Sequence, residues 1–183
     1  MGLEKNSSNW NLPNLITSFR ILLIPIFLYV YLKNPEENLL YSVIIFFVAG
    51  FSDFLDGYLA RKNNLVTPFG TVMDPLADKL MLLTALISYA STGVIPYAIL
   101  ILVAIKESFM ILGGIIVYKW GIINPANKFG KFVTFSFYIG ILTLLFNKPL
   151  GTLFLFVSAV LGFLAGYSYV QTTLEKRKSG KAT

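Results

Sequence analysis

Six apolar stretches, each close to bilayer-spanning length, set the terms for what this chain can fold into. A spanning helix needs roughly 20 residues. Inside hydrocarbon each backbone N–H and C=O must be satisfied within the protein, so a chain of such stretches reads as a helical bundle. The stretches place helices at Leu15–Leu32, Leu39–Arg61, Asp74–Ser91, Ile95–Lys119, Phe129–Asn147 and Leu150–Thr172. The breaks between them have local causes. Asn34-Pro35-Glu36-Glu37 is a turn cluster, Thr92-Gly93 precedes Pro96, and Asn124-Pro125 and Asn147-Lys148-Pro149 interrupt the later runs. With 56% hydrophobic and 13% charged residues, the composition agrees. The fold class is therefore all-α and integral to the membrane, with six transmembrane helices in a single domain over residues 1–183. Residues 1–11 form a polar lead, 15–172 the helical core and 173–183 a basic tail. No signal-peptide core with a cleavage site follows the lead. Gly162 and Gly166 form a GxxxG pair, read as close helix packing.

Orientation follows from the basic residues. Lys5, Arg61, Lys62, Lys119, Lys128, Lys131, Lys176, Arg177, Lys178 and Lys181 fall on one side, which is thereby cytoplasmic; Lys33 and Lys148 fall on the other. Both termini and the Arg61–Gly70 loop are expected there. The net charge of +6 is then mostly a topology belt that also attracts anionic lipid, rather than a nucleic-acid surface. The same topology argues against use of the Asn6-Ser7-Ser8 glycosylation match.

The chain has no Cys and no His. That excludes disulfides, thiolate metal sites, cysteine nucleophiles, catalytic triads and imidazole bases. Any metal must be held by oxygen, which points to hard ions such as Mg²⁺, Mn²⁺ or Ca²⁺. All four aspartates, Asp53, Asp56, Asp74 and Asp78, lie within one 26-residue window. Acids at membrane depth are costly and mark function.

Asp53 and Asp56 are three apart and share a helix face; Asp74 and Asp78 are four apart and do likewise. The first pair nears the cytoplasmic end of its helix, and the second opens the next helix on the same side. Two antiparallel neighbours would bring four carboxylates together below the cytoplasmic surface. Such a cluster must be paired, protonated or metal-loaded. Arg61, Lys79 and Lys106 are the nearby cations by sequence, and Lys79 points about 100° away from Asp78. One or two divalent ions suit the site better than salt bridges do, and a pair could clamp a diphosphate for displacement at phosphorus. Gly57, Ala60 and Gly70 leave space for a ligand beside the carboxylates. A divalent-cation transporter is the reading from another class, but the outward helix halves are nearly all apolar. A non-catalytic scaffold would tolerate loss of the aspartates.

The run Asp53-Phe-Ser-Asp56-Gly57-Tyr-Leu-Ala60-Arg61, eight residues, Gly70-Thr-Val-Met-Asp74-Pro-Leu-Ala-Asp78 resembles the signature of the CDP-alcohol phosphatidyltransferase family. That pattern is DxxDGxxAR, eight residues, GxxxDxxxD, and each of its fixed positions matches. The resemblance implies a six-helix membrane enzyme, commonly a homodimer. It moves a phosphatidyl or similar group from a CDP-linked lipid to an alcohol and releases CMP. It further implies that Asp53, Asp56, Asp74 and Asp78 hold Mg²⁺ or Mn²⁺, with Asp78 as the base. Gly57, Ala60, Arg61 and Gly70 would line the CDP-lipid site.

Within the family, Asn11-Leu-Pro-Asn14-Leu-Ile-Thr17-Ser-Phe-Arg20 and Asp74-Pro75-Leu76-Ala77-Asp78-Lys79 resemble the phosphatidylglycerophosphate-forming subgroup, with CDP-diacylglycerol and glycerol 3-phosphate as substrates. Two features depart from it. Lys106-Glu107 stands where those enzymes often carry Arg-Glu, and the Asn127–Lys131 segment with Thr134 matches loosely. Phosphatidylglycerol (a cardiolipin synthase) or an inositol phosphate are the alternative acceptors. Lys106 leads the candidates for binding an acceptor phosphate, ahead of Lys131, Lys128 and Arg20. Glu107, displaced around the helix, is not expected to pair with Lys106. The resemblance places the protein in a bacterial plasma membrane with its site on the cytoplasmic side.

Overall fold

The computed structural model describes residues 12–62, 68–119 and 128–178, with some side chains inside these ranges excepted. They form six α-helices: α1 Leu12–Lys33, α2 Leu39–Lys62, α3 Pro68–Ser91, α4 Tyr97–Lys119, α5 Lys128–Thr143 and α6 Lys148–Lys178. The polar lead Met1–Asn11, the residues 63–67 and 120–127 and the end of the basic tail lie outside the described residues. Among the described residues, three stretches are long and apolar enough to cross a membrane: Leu15–Lys33, Leu39–Leu59 and Lys148–Thr173. Their outer faces are apolar too, as Leu22, Ile26, Tyr29, Ile44, Phe51, Leu153 and Val160 show. A helix that is hydrophobic all round fits a lipid surround rather than water.

The chain divides into two compact units, Met1–Ser88 and Tyr89–Thr183. In the first, α1 packs on α2. Leu23, Phe27 and Tyr31, four residues apart, form one buried stripe on α1, and Val43, Phe46 and Ala49 are buried on α2. Phe27 and Tyr31 stack with ring centroids 6.0 Å apart. Asn38 closes the connection: its side-chain amide donates to the Val30 carbonyl at 2.8 Å, and its own carbonyl accepts from Ser42 N–H at 2.9 Å. One residue thus satisfies an orphan carbonyl of α1 and opens α2.

The third helix starts six residues before the expected Asp74. Pro68 occupies its first position, where a missing N–H has no consequence and φ is already helical. Gly70 therefore sits in the first turn of a helix, and Asp74 in its second. The helix ends at Ser91, and Gly93 just beyond it turns the chain with a φ of 74°, which glycine adopts without strain. Val94 N–H reaches back to the Tyr89 carbonyl at 2.9 Å, closing the terminus in a Schellman-type turn.

In the second unit, α6 packs on both α5 and α4. Ile95, Ile99, Val103 and Glu107 run along the buried side at and before α4, and Val133, Phe137 and Ile141 along that of α5, with Leu144 buried just past its end. The fifth helix ends at Thr143 rather than Asn147, because Asn147 belongs to the next helix as its N-cap. Its side-chain oxygen accepts from Leu150 N–H at 3.0 Å. Close approach is made possible by glycine. A Cβ on Gly151 would meet the Leu144 backbone nitrogen at 2.6 Å, and one on Gly140 would meet the Leu155 side chain at 2.8 Å. On the GxxxG pair, Gly162 faces the Lys106 stem, and a Cβ on Gly166 would lie 3.4 Å from Met110 Sδ. The motif serves helix packing within the chain. The sixth helix runs to Lys178, past the expected Thr172, so part of the basic tail is helical.

Candidate active site

Three helices of the first unit converge on a set of carboxylates. Thr17 and Arg20, three apart on α1, extend the Leu23–Phe27–Tyr31 stripe toward the helix start and are both buried. Asp53 comes from α2, and Asp74 and Asp78, four apart, from α3.

The Arg20 Nη1 lies 2.8 Å from Asp53 Oδ1 and 2.8 Å from Asp78 Oδ1. It also donates a long hydrogen bond, 3.4 Å, to the Asp74 main-chain carbonyl. The Thr17 hydroxyl donates to Asp74 Oδ1 at 2.5 Å. The Arg20 side chain is 0% exposed, whereas Asp53 and Asp78 are 37% and 42% exposed. The cation is sealed inside the bundle and the carboxylates sit between it and the accessible side. Arginine keeps its charge in any protein environment, so its burial demands acidic partners. Next to Asp53, the Ser52 hydroxyl donates to the Val48 carbonyl at 2.8 Å and is satisfied within α2.

The chemistry of this donor set suits a hard divalent ion, because it offers carboxylate oxygens and no nitrogen or sulfur ligand. Among the described residues, no three acidic side chains form a ready-made cation cage. The side chain of Asp56 lies outside the described residues, as do those of Ala60, Arg61, Lys128 and Lys131 and the surroundings of Gly70. Gly57 is half-buried on α2, one helical turn beyond Asp53.

The arginine is the ion-pair partner that the sequence reading did not assign to the aspartates. It stands 33 residues before Asp53 and 58 before Asp78, so no local spacing links them. One signal was present: a charge on the buried face of an apolar span needs an acid elsewhere in the bundle.

Lys106 lies in the second unit. Its ammonium is 2.5 Å from Glu107 Oε1 and 5.6 Å from the centre of the Phe137 ring. The expectation that neighbouring residues on a helix would not pair is thus corrected. Both side chains are long enough to bend toward each other, and burial makes an unpaired charge costlier than the bent rotamers. The Lys106 stem is seated on Gly162, where a Cβ would come within 2.6 Å of Cδ. Thr134 bonds within its own helix, to the Gly130 carbonyl at 3.2 Å.

Comparison with known proteins adds a separate line of observation. The family model for CDP-alcohol phosphatidyltransferase matches residues 10–164. A Bacillus subtilis protein named CDP-diacylglycerol–glycerol-3-phosphate 3-phosphatidyltransferase is 34% identical over 191 residues, spanning 93% of this chain and 98% of its own. A Rickettsia bellii protein of the same name is 34% identical over 176 residues, covering 87% of this chain and 93% of its own. One from Aquifex aeolicus is 37% identical over 126 residues, covering 68% and 69%.

Proposed function

Since the chain belongs to the CDP-alcohol phosphatidyltransferase family of membrane enzymes, we propose that it transfers the phosphatidyl group of CDP-diacylglycerol to glycerol 3-phosphate and releases CMP. The names of relatives that align over nearly their whole length support this choice of substrates. The observation that carries the chemistry is the meeting of Asp53, Asp74 and Asp78 around Thr17 and Arg20.

In this reading Asp53, Asp56, Asp74 and Asp78 hold a pair of divalent ions, Mg²⁺ or Mn²⁺. Bound there, the ions supply positive charge to the substrate diphosphate. The glycerol 3-phosphate hydroxyl attacks the phosphorus that bears the diacylglycerol. A new P–O bond forms, the P–O bond to CMP breaks, and CMP leaves with the electron pair. Asp78 takes the hydroxyl proton. Its accessible carboxylate is reachable by an acceptor, and no His is present to compete for the role. Gly57, Ala60, Arg61 and Gly70 border the CDP-lipid. Lys106, Lys131 and Lys128 remain the cations proposed for the acceptor phosphate. The protein works as a homodimer in a bacterial plasma membrane, with the site on the cytoplasmic side where the basic residues gather.

Purified protein in detergent, given CDP-diacylglycerol and one acceptor at a time, tests this. CMP release with glycerol 3-phosphate is expected. Release only with phosphatidylglycerol or an inositol phosphate would replace the acceptor and keep the family chemistry.

A further inference from the structure

We infer that Arg20 and Thr17 are positioning residues: α1 sets the carboxylate geometry from behind, and the acceptor phosphate is bound elsewhere. This rests on the transferase reading given above, and departs from the expectation that Arg20 could itself hold that phosphate.

Arg20 is permanently charged and wholly enclosed. Asp53 and Asp78 present their Oδ1 atoms to the same nitrogen, each at 2.8 Å, so those two oxygens lie within about twice that distance of each other. Carboxylates that close repel each other. A buried cation beside both offsets that repulsion. The guanidinium also fixes their separation, because α1 is held in place by the apolar stripe of Leu23, Phe27 and Tyr31.

Exposure decides between the two roles. A phosphate arriving from the accessible side meets the half-exposed Asp53 and Asp78 before it can reach Arg20. The Nη1 atom is already engaged by both carboxylates and by the Asp74 carbonyl. Thr17 repeats the pattern one turn earlier, fixing Asp74 Oδ1 through its hydroxyl. Each of the three described aspartates therefore has one carboxylate oxygen anchored from α1.

The test uses Thr17→Val, Arg20→Lys and Arg20→Gln in full-length protein. Mn²⁺ binding is measured by electron paramagnetic resonance without substrates, and kcat and both KM values are measured separately. Thr17→Val keeps the side-chain shape, so it reports even where an Arg20 variant fails to fold. Thr17→Val and Arg20→Gln are expected to weaken Mn²⁺ binding and lower kcat by about 10–100-fold, the usual effect of losing a group that orients metal ligands. The KM for glycerol 3-phosphate stays unchanged. Arg20→Lys recovers only part, because an ammonium lacks the planar fork. Full recovery in Arg20→Lys, or tighter Mn²⁺ binding in Arg20→Gln, would reduce Arg20 to a counter-charge and overturn the proposal. A selective rise in the KM for glycerol 3-phosphate would make it an acceptor contact instead. Wild-type protein that binds Mn²⁺ but forms no CMP would refute the transferase reading, while the Mn²⁺ comparison still decides the positioning role.

Discussion

The Lys106 side chain occupies the space that a side chain on Gly162 would need, with Cδ 2.6 Å from the position of a Cβ there. A charged residue on α4 is thus accommodated by a missing side chain on α6. The same lysine reaches Glu107 on its own helix, so the pair is enclosed between α4 and α6 with the Phe137 ring of α5 beside the ammonium.

The glycines should rank by what surrounds them. Gly151→Ala pushes a methyl into Leu144 main chain and is expected to destabilise by about 1–3 kcal/mol. Gly162→Ala meets a lysine stem that can bend, so its effect should be smaller, with the Lys106–Glu107 pair displaced. Gly113→Ala meets nothing within 4 Å and should be neutral or gain about 0.5–1 kcal/mol. Thermal unfolding in one detergent gives the order directly, and a Gly113→Ala variant less stable than Gly151→Ala would contradict it.

Lys106→Met takes away the ammonium paired with buried Glu107, and removing one partner of a buried pair costs about 3–5 kcal/mol. Lys106→Met combined with Glu107→Gln should restore most of that stability. The double variant then isolates function: a raised KM for glycerol 3-phosphate, with that for CDP-diacylglycerol unmoved, is expected if Lys106 binds the acceptor phosphate. Two unchanged KM values would leave the lysine a purely structural role.

The aspartates should separate by role. Asp53→Asn and Asp74→Asn are expected to weaken CDP-diacylglycerol binding as well as turnover. Asp78→Asn removes the base, with a loss of about 10²–10⁴-fold in kcat and less effect on lipid binding. Near-normal turnover in Asp78→Asn would move the base elsewhere.

Activity should vanish in excess EDTA and return with Mg²⁺ or Mn²⁺, since the donor atoms are carboxylate oxygens and the chain has no His or Cys to hold softer ions. CMP formation that persists after exhaustive chelation would take metal ions out of the mechanism.

Much of this protein is written in local sequence. Apolar runs between Asn-Pro and Gly-rich breaks determine the helices, because hydrogen bonding inside a helix depends only on residues four apart. The aspartate spacing likewise puts Asp74 and Asp78 on one face. Local reading went astray where two signals competed. The sequence reading starts α3 at Asp74, yet Pro68 begins the helix and Gly70 is tolerated within its first turn. Asn147 looked like the end of α5, and its side chain instead caps α6.

Tertiary structure alone decided which charges meet. Arg20 and Thr17 join Asp53, Asp74 and Asp78 across three helices, and Lys106 finds both its seat on Gly162 and its partner Glu107. Local spacing does not specify the meetings between helices. They form because burying a charge in an apolar bundle is unfavourable until an opposite charge is brought beside it, and only the packed helices fix which one that is.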